Sequence, residues 1–391
     1  MTNIKISPWP SYTNEEANAV SRVLLSNKVN YWTGTECRDF ELEFADWVGV
    51  SYSVALANGT LALESAIRSM DLSADADIIV TPRTFLASAS AIVACGANPI
   101  FADVDMHSQN ITADTIKAAL TPKTEAVIVV HLAGMPAEMD EIMALSKVHD
   151  FYVIEDCAQA HGAMYKNRSV GSIGHVGSWS FCQDKIMSTG GEGGMVTTNS
   201  EALWSKMWSY KDHGKGYDAV YNRDHPEGFR WLHESFGSNF RMTEMQAAIG
   251  RLQLQKIAGW TEIRQSHAKK LDAVLSRFSC VLVKSIPSYI QHARYKYYTF
   301  IKPEKLNSGW NRDQIVKELN NLGVPCFQGS CSEIYMEKAF ENTKWKPSER
   351  LTNARLLGEI SLSFLVHPTI SKAEIENICN IIEDVLSRAS K

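Results

Sequence analysis

Between Ser53 and Asp156 the chain repeats one pattern, a short apolar run followed by a segment with helical spacing. The runs are Ser53–Leu56, Ile78–Val80, Pro99–Asp103, Ala126–His131 and Tyr152–Asp156. The segments between them are Leu61–Met70, Ala87–Cys95, Thr112–Leu120 and Met139–His149. A run such as Ala126-Val127-Ile128-Val129-Val130 shows no polar alternation, so both of its faces must be covered. Strands of that kind alternating with helices predict an α/β fold, an open doubly wound sheet with ligands at the carboxyl ends of its strands. That rule points to Asn58-Gly59-Thr60, Phe85, Asp156-Cys157-Ala158-Gln159 and Lys185, all just past apolar runs.

The flanks follow other patterns. Asn14–Leu25 has helical spacing, with Ala17, Val20, Val23 and Leu24 on one face, and Glu36–Val48 reads as a second helix after a loop at Tyr31–Thr35. Beyond Val196, a helix at Trp204–Tyr210 gives way to Lys211–Ser238, a long irregular stretch rich in Gly, His and aromatics. Loops of that length in compact domains usually serve function or an interface. Helical periodicity returns over Arg241–Gln255 and runs on towards Phe278. Tyr297–Ile301, Arg312–Leu322 and Lys372–Leu386 then suggest a smaller α/β unit. A chain of 391 residues is expected to form two domains, a large one over 1–256 and a small C-terminal one over 257–391.

A net charge of -5 without any Lys/Arg run gives no sign of a nucleic-acid partner. The eight cysteines are scattered without CxxC or Cys/His spacing, so free thiols are expected, with no metal site and no disulfide framework. Met1–Pro10 lacks the apolar core of a signal peptide, and no apolar run is long enough to span a bilayer. A soluble cytoplasmic protein with no membrane partner is the expectation.

The chemistry concentrates around a hairpin. Trp179-Ser180-Phe181 precedes Lys185, the glycine-rich turn Gly190-Gly191-Glu192-Gly193-Gly194 follows, and Met195–Thr198 reads as the returning strand. Glycines let such a turn fold tightly and bring backbone close to a ligand. Burial disfavours an ammonium, so a lysine fixed between two buried strands can offer a free amine for imine chemistry. Alone it reads more readily as a solvated lysine beside a loop. Asn58-Gly59-Thr60, with N–H groups at a helix start and a Thr hydroxyl, suits a phosphate and also reads simply as a helix cap. Asp156 can hold a pyridinium nitrogen protonated, or cap a helix or pair with a cation. Gln159 can donate to a phenolate oxygen of the same ring, and Ser180 can offer its hydroxyl to the phosphate. Phe85 either stacks on a planar cofactor or packs in the core. His161 reads as a hydrogen-bonded structural residue or a substrate contact. An amine, a ring-nitrogen acid, an aromatic face and a phosphate cradle together are what a pyridoxal 5'-phosphate site needs.

At this point the chain resembles the DegT/DnrJ/EryC1/StrS family of sugar aminotransferases, a branch of the aspartate-aminotransferase fold. The resemblance covers nearly the whole chain. It rests on Asn58-Gly59-Thr60, on Glu155-Asp156-Cys157-Ala158-Gln159-Ala160-His161-Gly162, on Ser180-Phe181 with Lys185, on Gly191-Glu192-Gly193-Gly194, and on Ser238-Asn239-Phe240-Arg241-Met242 continuing to Gly250. It implies that Lys185 bonds covalently to the cofactor and shuttles protons, with Asp156 on the pyridine nitrogen, Gln159 on the ring oxygen and Phe85 against the ring. It assigns the phosphate to Gly59, Thr60 and Ser180, helped by Asn239 from the neighbouring subunit of a homodimer with shared active sites. Arg241 would lie near the substrate's anionic groups. Cys182-Gln183-Asp184 and Lys211–Ser238 depart from the common family pattern, so sugar specificity does not carry over.

The implied reaction is ping-pong transamination from L-glutamate to a nucleotide-linked keto-sugar, with C4 of a 4-keto-6-deoxyhexose and UDP as the leading choices, serving surface polysaccharide or glycan synthesis. Amination at C3 or of a cyclitol ketone is the alternative. Family members acting as sugar 3-dehydratases carry a histidine in place of the lysine, and non-enzymatic scaffold relatives tend to lose it. Lys185 favours the transaminase reading over both.

Overall fold

The computed structural model describes residues 6–391, so the first half of the opening segment, Met1–Lys5, lies outside the described residues. Five strands come first: β1 (Tyr52–Leu56), β2 (Asp77–Val80), β3 (Asn98–Phe101), β4 (Thr124–Val130) and β5 (Tyr152–Asp156). A short ribbon, β6 (Met164–Tyr165) and β7 (Arg168–Ser169), separates them from β8 (Val176–Ser180) and β9 (Gly194–Thr198). Apart from the ribbon these strands form one seven-stranded sheet in the order β1-β9-β8-β5-β4-β2-β3. Pairings β2–β3, β2–β4, β4–β5 and β5–β8 are parallel, as the uninterrupted Val/Ile runs require. The exception is β9, antiparallel to both β1 and β8. The β8–β9 link carries no crossover helix, so the chain turns back as a hairpin.

Several helices match the sequence periodicity end to end, among them Asn14–Leu25, Glu36–Val48 and Met139–His149. The helix after β1 runs Gly59–Ser69, two residues ahead of the periodic stretch, because its start is set by the Asn58 side chain capping Leu61 N–H at 3.0 Å. The helix expected from Arg241 begins at Glu244, where Thr243 and Gln246 form a reciprocal cap, and it ends at Leu254 before a second helix, Ile257–Leu275. Within the irregular stretch only Tyr217–Tyr221 is helical.

The C-terminal part adds β10 (Val281–Leu282), β11 (Ile290–Gln291), β12 (Tyr297–Ile301), β13 (Cys326–Phe327) and β14 (Ser361–Phe364). Four of these make an antiparallel sheet, β10-β12-β14-β13, while β11 returns to pair with β6. The small-domain core joins Leu271, Tyr297, Ile315, Phe364 and Ile382. Ile257 packs instead with Phe181 and Met187 in the large domain, whereas Ala268 onward belongs to the small-domain core. The Ile257–Leu275 helix therefore serves both cores, its first residue one and Ala268 onward the other.

An N-terminal strap ties the domains together. Ser7 N–H donates to Glu374 Oε1 at 2.8 Å and Thr369 Oγ1 to Pro8 O at 2.8 Å, both in the small domain. Two residues on, the Trp9 indole donates to the Lys185 carbonyl at 2.8 Å and Tyr12 Oη to Ser188 Oγ at 3.0 Å. No helix among the described residues is long and apolar enough to cross a membrane. All eight cysteines are unpaired, as expected from their spacing.

Candidate active site

A cavity of about 840 Å³ opens beyond the carboxyl ends of β5 and β8, walled by the start of the Gly59–Ser69 helix and closed by Tyr295, Lys296 and Tyr298 from the small domain. The sheet rule predicted this position. Asn58, Gly59, Thr60, Phe85, Asp156, Gln159, Ser180 and Lys185 all line it, so the fold brings together side chains spread over more than a hundred residues of sequence.

Its anion-binding corner is made by close approach. Asn58 Oδ1 occupies Leu61 N–H, while the N–H groups of Gly59 and Thr60 lie in the first turn, beyond the reach of any helical carbonyl. A Cβ on Gly59 would sit 2.5 Å from Ser180 Cβ and 2.9 Å from its Oγ, and one on Gly194 only 2.3 Å from Asn58 O. Two glycines thus let the helix start settle onto the β8–β9 hairpin, which gathers two free N–H groups and the hydroxyls of Thr60 and Ser180. Donors aligned at the positive end of a helix dipole suit a phosphate.

Asp156 ends β5 with its carboxylate enclosed: Oδ2 accepts from Ser88 Oγ at 2.9 Å and Oδ1 from Ala158 N–H at 3.1 Å. Burial pushes its pKa above the ordinary value, against the pull of those donors and of Lys185. A protonated ring nitrogen would supply the cation that this carboxylate lacks. Gln159 is oriented by its oxygen, which takes Ala133 N–H at 2.7 Å and so turns the amide NH2 the other way, free to donate. Ala133 holds a left-handed φ of 57° to present that N–H, and its carbonyl accepts Tyr295 N–H at 2.9 Å from the small domain. Phe85 is 70% exposed on the cavity wall, a phenyl face waiting for cover.

Lys185 is held from several sides. Its N–H donates to Cys182 O at 3.0 Å, its carbonyl accepts the Trp9 indole, and its side chain is only 15% exposed. The Nζ lies 3.6 Å from Asp184 Oδ1 and 5.4 Å from the centre of the Tyr295 ring. Tyr295 Oη also donates to Asp184. Despite the opposing cost of burial, the Lys185 charge and that hydroxyl hold Asp184 below the usual carboxylate range. Gly190 and Gly191, at φ 85° and 122°, make the turn that lets the chain double back after the lysine. The amine, carboxylate, oriented amide, exposed ring and glycine-dependent cradle fit pyridoxal 5'-phosphate.

Three of the sequence-derived residues fall elsewhere. His161 is fully buried between Trp179 and Phe181, with ring centroids at 5.2 and 5.7 Å and neither nitrogen partnered, so the structure does not make it a substrate contact. Burial, with the Lys185 and Arg264 charges, pushes it down to about 3. Gly162, at φ 83°, turns the chain just after it. Arg241 is paired with Asp212 and does not line the cavity. Asn239 is exposed, also outside the cavity of its own chain. Sequence reasoning in turn missed Ser88, Tyr295 and Lys296. Only the packing of the small domain against the sheet edge brings the last two to the site, and no local motif marks them.

His131, Glu155 and Cys157 place potential metal-ligand atoms within 4.8 Å of one another. His131 Nε2 is bonded to Glu155 at 3.0 Å and its Nδ1 accepts Ala137 N–H, while the other Glu155 oxygen accepts from Ile173 and Gly174. His131 and Glu155 thus have their hydrogen bonds met as a buried pair.

The profile of the DegT/DnrJ/EryC1/StrS aminotransferase family matches residues 10–383. An aminotransferase of Psychrobacter cryohalolentis solved by X-ray is 55% identical, with a TM-score of 0.96 over 98% of this chain and 99% of that one. The GDP-perosamine synthase of Caulobacter vibrioides is 32% identical over 89% of each chain. The UDP-N-acetyl-3-dehydro-alpha-D-glucosamine 3-aminotransferase of Acidithiobacillus ferrooxidans is also 32% identical, over 95% of this chain and 94% of its own.

Proposed function

The chain belongs to the DegT/DnrJ/EryC1/StrS aminotransferase family and is a pyridoxal-phosphate-dependent aminotransferase, and from that premise we propose the reaction its cavity serves. The amino group of L-glutamate is transferred to a nucleotide-linked keto-sugar, with C4 of a UDP-4-keto-6-deoxyhexose as the leading substrate. The observation that carries this reading is the convergence of Lys185, Asp156, Gln159 and the Gly59–Ser180 cradle in one cavity. About 840 Å³ is room for a cofactor and a sugar together.

When bound, the cofactor supplies an electrophilic carbon for amines and a ring that spreads negative charge. The protein supplies placement and proton transfer. Gly59, Thr60 and Ser180 anchor the phosphate. Asp156 holds a proton at the ring nitrogen, Gln159 donates to the ring oxygen, and Phe85 covers one face. Lys185 Nζ would be the point at which the cofactor is held covalently, and as a free amine it would take a proton from the substrate carbon and return it. Asp184 and Tyr295 hold that amine over the cavity floor.

Support for UDP comes from the relative whose name carries it. The same name places its amine at C3, and a relative of 33% identity in Streptomyces kanamyceticus is an L-glutamine:2-deoxy-scyllo-inosose aminotransferase. Amination at C3 or of a cyclitol ketone is therefore the second reading. A homodimer with shared sites is supported by Asn239 and by Phe229, Trp231 and Phe236, each more than 70% exposed, on the irregular stretch that precedes it. Eight unpaired thiols fit a cytoplasmic enzyme.

The test is direct. Purified protein should show a visible absorption that borohydride bleaches, and Lys185→Ala should lack it. Incubation with L-glutamate and a panel of nucleotide 4-keto and 3-keto sugars, read by mass spectrometry and NMR, should yield an amino-sugar from one of them. No amine in any product overturns the proposal.

A further inference from the structure

Five charged side chains line the cavity: Asp156, Asp184, Lys185, Glu192 and Lys296. Four have partners. Asp156 accepts from Ser88 and Ala158, Asp184 is shared by Lys185 and Tyr295, and Glu192 at the rim accepts the Cys182 thiol at 3.8 Å. Lys296 has neither a carboxylate nor a hydrogen-bond acceptor among the described residues. Its Nζ lies 5.0 Å from the centre of the Tyr295 ring, the same ring that Lys185 Nζ approaches at 5.4 Å. It is half-buried, in the two-residue step that leads from the Ala133 contact into β12. A cation held partly out of water with no carboxylate paired to it is costly unless a ligand provides one.

We infer that Lys296 receives the α-carboxylate of the amino donor. This rests on the aminotransferase reading of the cavity, and it assigns the donor subsite that the reading leaves open. Any α-amino acid whose nitrogen arrives beside Lys185 Nζ carries its carboxylate on the adjoining carbon, and Lys296 is the other cation beside the Tyr295 ring that Lys185 approaches. The phosphates of a nucleotide-sugar are anions too, yet the whole sugar ring separates them from the keto carbon that reacts at Lys185. Burial pushes the Lys296 ammonium down to about 8, with Arg264 and Lys185 adding to the effect and Asp184 opposing it. A bound carboxylate reverses that loss.

The experiment compares wild-type holoenzyme with Lys296→Gln and Lys296→Arg. Calorimetric titration with glutarate, a dicarboxylate without the reactive amine, reads the subsite apart from turnover. Single-turnover reactions of the aldehyde-form enzyme with L-glutamate, and of enzyme preloaded with the amine form of the cofactor with keto-sugar, read the two half-reactions separately. K296Q is expected to weaken glutarate binding and raise the donor's half-saturation about 10-fold or more, since a charge-assisted bond is lost. The keto-sugar half-saturation and the visible spectrum of the bound cofactor should stay unchanged, the latter confirming an intact site, and K296R should recover most of the loss. Failure of wild type to bind glutarate, or equal binding by K296Q, overturns the inference. So does a rise in the keto-sugar half-saturation in place of the donor's, which would give Lys296 to the nucleotide phosphates. If wild type fails to react with L-glutamate, the donor named above falls, while the glutarate titration still decides the role of Lys296.

Discussion

Replacing Gly59 by alanine tests the phosphate cradle at its tightest point. The new Cβ would stand 2.5 Å from Ser180 Cβ and 2.9 Å from Ser180 Oγ. Carbon atoms settle at about 3.5–4.0 Å, so the helix start must lift by about 1 Å. For the fold the change is modest. Overpacking costs about 1–3 kcal/mol, and alanine's better helix propensity returns up to about 1. For the cofactor it is larger, because an N–H···O bond lengthened by about 1 Å is no longer a bond. Each bond to a charged acceptor is worth about 1.5–3 kcal/mol, so losing one weakens binding by about 10- to 100-fold. Titration of cofactor-free G59A with pyridoxal phosphate, followed by absorbance, should show that loss beside a small fall in melting temperature. Ser180→Gly in the same chain removes the two atoms struck most closely and should recover part of the affinity, the missing hydroxyl limiting the gain. Wild-type affinity in G59A would show that the phosphate does not lie where the helix start meets Ser180.

Two further outcomes follow from the buried charges. Asp156→Asn should leave cofactor-free protein at least as thermostable as wild type, since it replaces a desolvated carboxylate and Ser88 can turn its hydroxyl to Thr84, 3.0 Å away. The same change should cut turnover by about 10²–10³, and a destabilised but fully active variant would contradict the assignment. His161 and His367 are both pushed by burial from 6.5 to about 3, His161 also by Lys185 and Arg264, and His367 by Arg264, Lys296 and His267. Between pH 6.5 and about 3 the unfolded chain binds protons at these rings that the folded chain refuses. Their contribution is whole above that window and falls with acidification at about 1.4 kcal/mol per pH unit for each ring. Denaturant melts from pH 7 to 4 measure the slope, and His161→Leu should lower it; an unchanged slope would remove His161 from the account.

Much of the large domain was legible because its signals are local. Runs such as Val127–Val130 can only be covered on both faces, and the helix at Asn14 starts where Thr13 and Glu16 cap each other. The cavity-lining residues of the large sheet were legible for a related reason, since a strand-end rule points to the loops after β1, β5 and β8. What escaped depends on distance through space. Tyr295 and Lys296 reach the cavity because the 293–295 segment hydrogen-bonds to Ala133 and Gly134, more than 150 residues earlier in the chain. His161, five residues beyond Asp156, reads equally as a structural residue or a substrate contact, and only packing against Trp179 and Phe181, set by the fold, buries it. The apolar stripe of Ile257–Leu275 serves two cores in succession, and no local pattern marks where one gives way to the other.

The strap at Ser7–Tyr12 sets an order on biosynthesis. A ribosome delivers Trp9 early, yet the groups it docks on arrive late: the Lys185 carbonyl, the Trp260 ring 5.1 Å away, and His367, whose ring stacks at 6.1 Å. Glu374, which anchors Ser7, arrives later still. A nascent chain can assemble the seven-stranded sheet and its hairpin while the backbone behind the reactive amine still lacks its brace. Closure of that brace comes near the end of translation, so a fragment truncated before residue 367 carries every proposed cofactor ligand without the clamp that steadies Lys185.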